Sequence, residues 1–303
     1  MKSAAILLAG ALVALGAAPQ AALAAAPSPA AGLDLFVSTD ADHTDVIRAG
    51  ANLDWSHPAE DRYQGIRVER AWFKPQGDKA TTFDRVYGRY ADTSGRYAWA
   101  AQVGTDGDTV IGSASVVDAS PWRKEFFLER DILETRRGVS EGIYYTFGGA
   151  AFDIPFGERD TGSVVLGAQE FTGKNVRLHA RANYVHVVQP DWGLSAQLRT
   201  RYFHSTHPGE FDYYSPRWFA EVLPVLQLRR HVGDWRLVLA GGYGIQRDAN
   251  TDWRASRYVN AQLSSPVNRG VSVKFAAVYS NTPVGAGAIY DYLQVSAGIV
   301  ARF

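Results

Sequence analysis

The sequence predicts an all-β fold: a transmembrane antiparallel β-barrel of about sixteen strands. Three observations lead there. The first is period-two alternation over long stretches, clearest between Phe211 and Ile245. Trp218, Ala220, Val222, Pro224, Leu226 and Leu228 are apolar and alternate with Glu221, Gln227 and Arg229, although Phe219, Leu223 and Val225 interrupt the polar face. After the tight His231–Asp234 connection, Leu237, Leu239, Tyr243 and Ile245 alternate with Arg236, Gly242 and Gln246, the pattern of a hairpin. The second is strand length joined to an arginine-rich polar face, which suits strands of about 9–11 residues between lipid and a polar lumen. The third is the lack of any apolar run of about 18 residues in the mature chain, which excludes a helical span. Mean hydropathy is slightly negative, as expected when only every second residue meets lipid.

The chain has 303 residues, no cysteine, and 31 basic against 31 acidic side chains. That balance gives no electrostatic footprint for nucleic acid, and none is expected as a partner. Without cysteine there is no disulfide framework and no acylated lipoprotein terminus. Lys2, the apolar run Ala4–Leu15 and the Ala22-Leu23-Ala24 site read as a secretory signal peptide, residues 1–24, with Ala26 as the alternative cleavage position. An Ala/Pro/Ser-rich leader is expected over 25–32 and the barrel over 33–303. The localisation this implies is the outer membrane of a Gram-negative bacterium.

Taken in order, the first strand is Leu33–Ser38. In the second, Asp45–Trp55, Ile47, Ala49, Ala51, Leu53 and Trp55 face one way and Arg48, Asn52 and Asp54 the other. Ile66–Phe73, Phe83–Ala91, Tyr97–Gly104 and Thr109–Val117 follow. Glu125–Glu134 also fits one amphipathic helix, and its strand neighbours decide for strand. Ile143–Gly149 and Val164–Phe171 lead into Val176–Val188, with Arg177, His179, Arg181 and Asn183 inward. Leu194–Phe203 repeats this with Ser195, Gln197, Arg199 and Arg201. Beyond the Trp218–Ile245 hairpin come Trp253–Leu263, Val271–Tyr279 and Tyr290–Phe303, the last ending in phenylalanine.

With both termini periplasmic, Asp92–Gly95, Gln189–Asp191, His231–Asp234 and Pro266–Gly270 are short turns, while Ser205–Pro216 and Asn281–Ala288 are longer outer loops. Ala150–Gly162 is too long for the periplasmic turn expected there, which would alter the strand count by two. About sixteen strands leave an aqueous channel, whereas about eight would be filled by side chains.

The candidate chemistry lies on the polar face. Arg48, Arg85, Arg89, Arg177, Arg181, Arg199, Arg201, Arg229, Arg236, Arg254 and Arg302 all fall there. Fixed guanidinium groups attract anions and hydrogen-bond hydroxyls, or pair across strands with acids such as Asp54, Asp84 and Glu221. Phe211, Tyr213, Tyr214, Trp218 and Phe219 cluster at an outer mouth, where rings either stack on sugar faces or form an interfacial girdle. Asp40, Asp42 and Asp45 around His43 offer hard oxygens for Ca²⁺ but lack a calcium loop's glycine and terminal glutamate, so an ordinary polar turn is expected and no metal or cofactor. His204 and His207 near Ser205 and Glu210 are the weak basis for a lipid-modifying enzyme; no catalytic residue is assigned.

The segments Gly167–Val176 and Phe211–Gly244 resemble the C-terminal barrel of the cellulose synthase operon protein C family, outer-membrane porins for exported polysaccharide. The matching features are Thr172–Val176 (TGKNV), Tyr213–Pro216 (YYSP), the mid-strand Pro224-Val225, Trp235 and Gly241-Gly242. The resemblance implies a sixteen-stranded channel for a cellulose-like or related glycan; on the reading of the polar face and outer mouth above, Arg177, Arg181, Arg199, Arg201, Arg229, Arg236, Tyr213, Tyr214 and Trp218 are expected along the substrate path. It also implies outer-membrane lipid and lipopolysaccharide as surroundings, and an inner-membrane glycan synthase as the driving partner. Family members carry a periplasmic tetratricopeptide array ahead of the barrel; no such repeat is read before the first strand here, so either a separate periplasmic scaffold protein supplies it or the chain is a barrel-only relative with a different cargo. The alternative reading of the residues is a general or anion-selective porin for small solutes.

Overall fold

The computed structural model describes residues 28–266, 270–282 and 291–303. The signal segment, and the leader up to residue 27, lie outside them. Sixteen strands form in succession. The first eight are β1 (Ala30–Asp40), β2 (Asp45–Ala59), β3 (Arg62–Lys74), β4 (Thr81–Ser94), β5 (Tyr97–Thr105), β6 (Val110–Asp118), β7 (Lys124–Ile132) and β8 (Tyr144–Pro155). The second eight are β9 (Asp160–Phe171), β10 (Val176–Gln189), β11 (Leu194–Ser205), β12 (Trp218–Val232), β13 (Trp235–Asp248), β14 (Thr251–Ser264), β15 (Val271–Ser280) and β16 (Tyr292–Arg302). A short helix, α1 (Arg136–Glu141), stands between β7 and β8.

Each strand pairs antiparallel with its sequence neighbours, and β1 closes on β16 from Ala30 opposite Arg302 to Asp40 opposite Tyr292. Closure leaves no sheet edge, so the ladder satisfies the backbone groups that hydrocarbon could not. The two faces are inverted relative to a soluble protein. Leu33, Leu53, Leu128, Leu166, Leu178 and Leu226 are exposed on the outer face, Leu226 at 61%. Asp54, Arg85, Gln169, Arg177 and Gln246 are buried on the inner one. Trp55, Trp122, Phe156, Trp192, Trp235 and Phe303, exposed at one end of the strands, form an aromatic girdle.

All sixteen expected strands are present, with three differences in detail. β1 begins at Ala30, within the expected leader. The suspect segment 150–162 contains no long connection: β8 runs on to Pro155 and β9 starts at Asp160, leaving a turn at 156–159. Small residues at Gly148–Ala151 hide the alternation there. The helical alternative for 125–134 is not adopted, since β7 is laddered to both β6 and β8. The last strand begins at Tyr292, and the expected start at Tyr290 lies outside the described residues.

The barrel is not circular at every height. Sixteen strands at their usual spacing and tilt make a circle roughly 30 Å across, which would hold β2 and β7 roughly 25 Å apart. Yet Arg48 of β2 reaches Asp131 of β7 at 3.2 Å, and Arg85 of β4 reaches the same carboxylate at 2.9 Å. The wall is therefore drawn inward on this side. Val46, Phe73, Ile111, Ile132 and Tyr144 pack there around Val139 of α1.

Candidate functional site

Lumen side chains divide the barrel into two unlike walls. On the first, arginines and carboxylates alternate. Arg67 binds Asp34 and, at 2.7 Å, Glu69; Arg85 bridges Glu69 at 3.2 Å and Asp131 at 2.9 Å. Arg48 adds Glu134 at 2.5 Å, and Arg89 meets Asp54 at 3.3 Å. Arg123, below β7, meets Glu125 at 2.7 Å and Asp153 at 3.3 Å. Gly50 makes room for this ladder, because a Cβ there would stand 2.3 Å from Arg67 Nη2. Asp84 is not part of it. Its carboxylate faces outward and takes Arg70 at 2.6 Å, both side chains being exposed.

The second wall, β9 to β14, is basic. Arg181 and Arg201 stand directly opposite on β10 and β11, and Arg199 stands opposite Asn183, which in turn opposes Ser163 of β9. Glu221 of β12 is opposite Arg201 and approaches it at 3.3 Å, while also accepting from Ser256 at 2.6 Å and Thr282 at 2.8 Å. Arg199 donates to Gln197 at 2.8 Å and lies 4.8 Å over the Tyr258 ring. Toward the other rim, Arg229 and Arg236 face the lumen one rung apart on β12 and β13. Leu223 and Val225, which interrupt the polar pattern of β12, pack inward against Ala240 and Tyr258.

Over this wall folds the 206–217 loop. Tyr213 stacks on Phe171 at 4.3 Å and its phenol oxygen accepts from Asn175 Nδ2 at 2.8 Å. Tyr214 donates to Asp248 at 2.5 Å and meets Phe203 and Phe219 edge-on. Burial first, then the Asp248 carboxylate, hold the Tyr214 phenol well above its usual range, so it stays a donor. Arg177 lies beneath, wholly buried, donating to the Tyr214 carbonyl, with its guanidinium 4.6 Å from the Phe203 ring centre and 5.1 Å from that of Phe171. Two carboxylates fasten the loop to its neighbours. Glu210 accepts from the backbone N–H groups of Lys174 at 2.7 Å and Asn175 at 2.8 Å. Asp212 accepts at 2.7 Å from both Thr135 Oγ1 and Arg137 N–H, at the start of α1.

Asp212→Ala is expected to remove about 1–2 kcal/mol from this latch. Limited trypsin digestion should then cut faster at Arg136 and Arg137 while the barrel keeps its heat-modifiable mobility. Unchanged cleavage would show that α1 is held by its apolar contacts.

Of the residues expected along a substrate path, the structure brings Arg181, Arg199 and Arg201 together on one lumen wall, with Arg229 and Arg236 nearer the opposite rim. Arg177, Tyr213 and Tyr214 are different: they form the buried seat of the loop and offer no free surface. Trp218 lies on the outer face, 5.8 Å from the outward Arg247, following the alternation of β12. His204 shares that outer face, opposite Trp218, while His207 in the loop meets Thr206 at 3.2 Å, so the two histidines do not converge. Around Asp40 the turn is an ordinary one, with its Oδ1 accepting from Asp42 and Thr44 N–H. The fastening roles of Asp212, Glu210 and Asn175 escaped the sequence reading because a cap supplied by a distant loop has no spacing.

No family model matches the chain, and no curated protein matches it by sequence. Among solved structures it is similar to a "Bacterial polysaccharide outer membrane secretin", with TM-score 0.67 and 14% identity over 90% of this chain and 98% of that one. Weaker likenesses are to OccD1 (OprD), TM-score 0.45 and 8% identity over 91% and 95%, and to Pseudomonas aeruginosa OccK5 (OpdH), TM-score 0.44 and 8% identity over 91% and 98%. The first of these spans nearly the whole of both chains, and what it establishes for this one is its fold, that of a sixteen-stranded outer-membrane β-barrel.

Proposed function

We propose that the protein is a passive outer-membrane channel through which a bacterial exopolysaccharide leaves the cell, pushed by its synthesis at the inner membrane. The observation that carries this is the inner face of β9 to β14: arginine, amide and hydroxyl groups on successive rungs, with the 206–217 loop folded over them. Such a wall exchanges hydrogen bonds with sugar hydroxyls at little cost, and no catalytic group is needed for passage. The secretin likeness supports the reading through overall shape. Outer-membrane lipid and lipopolysaccharide would surround the girdles, and a periplasmic scaffold protein would dock on the short turns.

A planar-bilayer recording tests it. Purified protein is expected to conduct in discrete steps that added oligosaccharides block in proportion to chain length. An open pore indifferent to sugars would favour a porin for small anions, the reading that the basic β9–β14 wall supports. In that case the reversal potential in a salt gradient should show anion preference, falling on Arg199→Gln.

A further inference from the structure

Buried polar atoms without partners occur on both walls, Arg48, Arg85 and Arg89 Nε among them, and a run of them falls on adjacent rungs of the second wall. Among the described residues, Arg181 Nε, both amide atoms of Asn183, Gln197 Nε2 and Ser163 Oγ are buried and unbonded. Strand register puts them together: Ser163, Asn183 and Arg199 share one rung, Arg181 and Arg201 the next. A folded wall rarely leaves so many buried donors idle in one place. Two guanidinium groups directly opposite each other also repel, and Glu221, already shared with Ser256 and Thr282, is the carboxylate that faces them.

The first wall shows what compensation looks like, since Arg48, Arg67, Arg85 and Arg89 each meet a carboxylate there. Residues outside the described set cannot supply the missing charge, because none of them is Asp or Glu. Arg229 stands eight residues along β12 from Glu221, roughly 20 Å along the barrel axis at the usual rise and tilt. The basic groups therefore form a track rather than a point.

We propose that this track on β9 to β13 binds an anionic glycan, its carboxylate or sulfate oxygens taken by Arg181, Arg199 and Arg201, which are only partly buried. A planar guanidinium takes two oxygens of such a group at once, and an anion between Arg181 and Arg201 removes their repulsion. This rests on the channel reading and narrows its cargo from a neutral to an acidic polymer.

The test is calorimetric binding to the detergent-solubilised full barrel, at roughly 0.05 M and 0.5 M salt. The probes are a galacturonate hexamer, a sulfated galactan hexamer, cellohexaose and a chitosan hexamer. An acidic hexamer is expected to bind at least about tenfold more tightly than cellohexaose, with most of that preference lost at the higher salt. Which acidic hexamer binds more tightly distinguishes carboxylate from sulfate. Arg181→Gln with Arg199→Gln should weaken the acidic ligand by about tenfold or more and remove its advantage over cellohexaose. Equal affinity for acidic and neutral hexamers, preference for chitosan, or no binding of any would overturn the proposal. The wild-type comparison decides even if the double variant does not fold. Bilayer recordings separate the two readings: a conducting pore blocked equally by all four keeps the channel and removes the track. Acidic binding without conductance keeps the track and removes the channel.

Discussion

Replacing residues 206–217 by a two-residue Asn-Gly turn is expected to raise single-channel conductance by about tenfold or more. A barrel of sixteen strands is too wide for wall side chains to fill, so whatever limits flow must be folded into it. In this protein that obstruction includes Tyr213 and Tyr214, both buried inside the mouth, with Arg177 sealed below them. Removing the loop frees the Arg177 guanidinium from the Tyr214 carbonyl and withdraws Tyr213 from the Phe171 ring. It also strips the Asp212 acceptor from α1, which loosens the neighbouring 133–143 segment as well. The β-ladder between β11 and β12 is untouched, running from His204 opposite Trp218 to Leu194 opposite Leu228, so the barrel itself should persist. The measurement is conductance in a planar bilayer, beside intact protein in the same membrane. An unchanged conductance would place the constriction lower, on the drawn-in β2–β7 side.

Leu226→Arg should destabilise the barrel in lipid by about 2–4 kcal/mol, the cost of placing a guanidinium near the midplane of the bilayer. Leu226 sits at the centre of β12, on its outer face, with 61% of its surface exposed. In water such a change would be nearly neutral; in hydrocarbon it is among the worst available. Denaturant titration in liposomes reads the difference, with Gln227→Arg as the comparison one residue away on the lumen face. Gln227 faces inward, so its replacement should cost little. Similar costs for the two would contradict the assignment of faces, and with it the membrane reading of the fold.

How much of this was legible beforehand follows from how far each signal travels along the chain. Successive side chains of a strand point to opposite faces, so solvent partition writes itself into neighbouring residues. That is why most strands, the hairpin at His231–Asp234 and the inward arginines of β10 and β11 could be read directly, while β7 was read from its neighbours. Even Trp218 obeyed the rule; placing it on the substrate path gave more weight to an aromatic cluster than to the alternation that already turned it outward. The signal failed at Gly148–Ala151, where side chains are too small to show a face.

What the sequence by itself determined is therefore the all-β membrane barrel and which residues meet lipid, while the count of sixteen was settled by the turn at 156–159. Tertiary structure decided which lumen charges are compensated and which are not. Arg48 finds Asp131 across the lumen, and Asp212 caps a helix begun by Thr135, pairings between segments that share no register and no period. It also decided that Tyr213 and Tyr214 are buried in the seat of the loop, on Phe171, Phe203 and Phe219. The physical reason is that alternation encodes a partition between two solvents, which each residue makes locally. Ion pairs and loop caps depend on where the closed barrel brings distant strands, and that position is set only when the sheet has met itself.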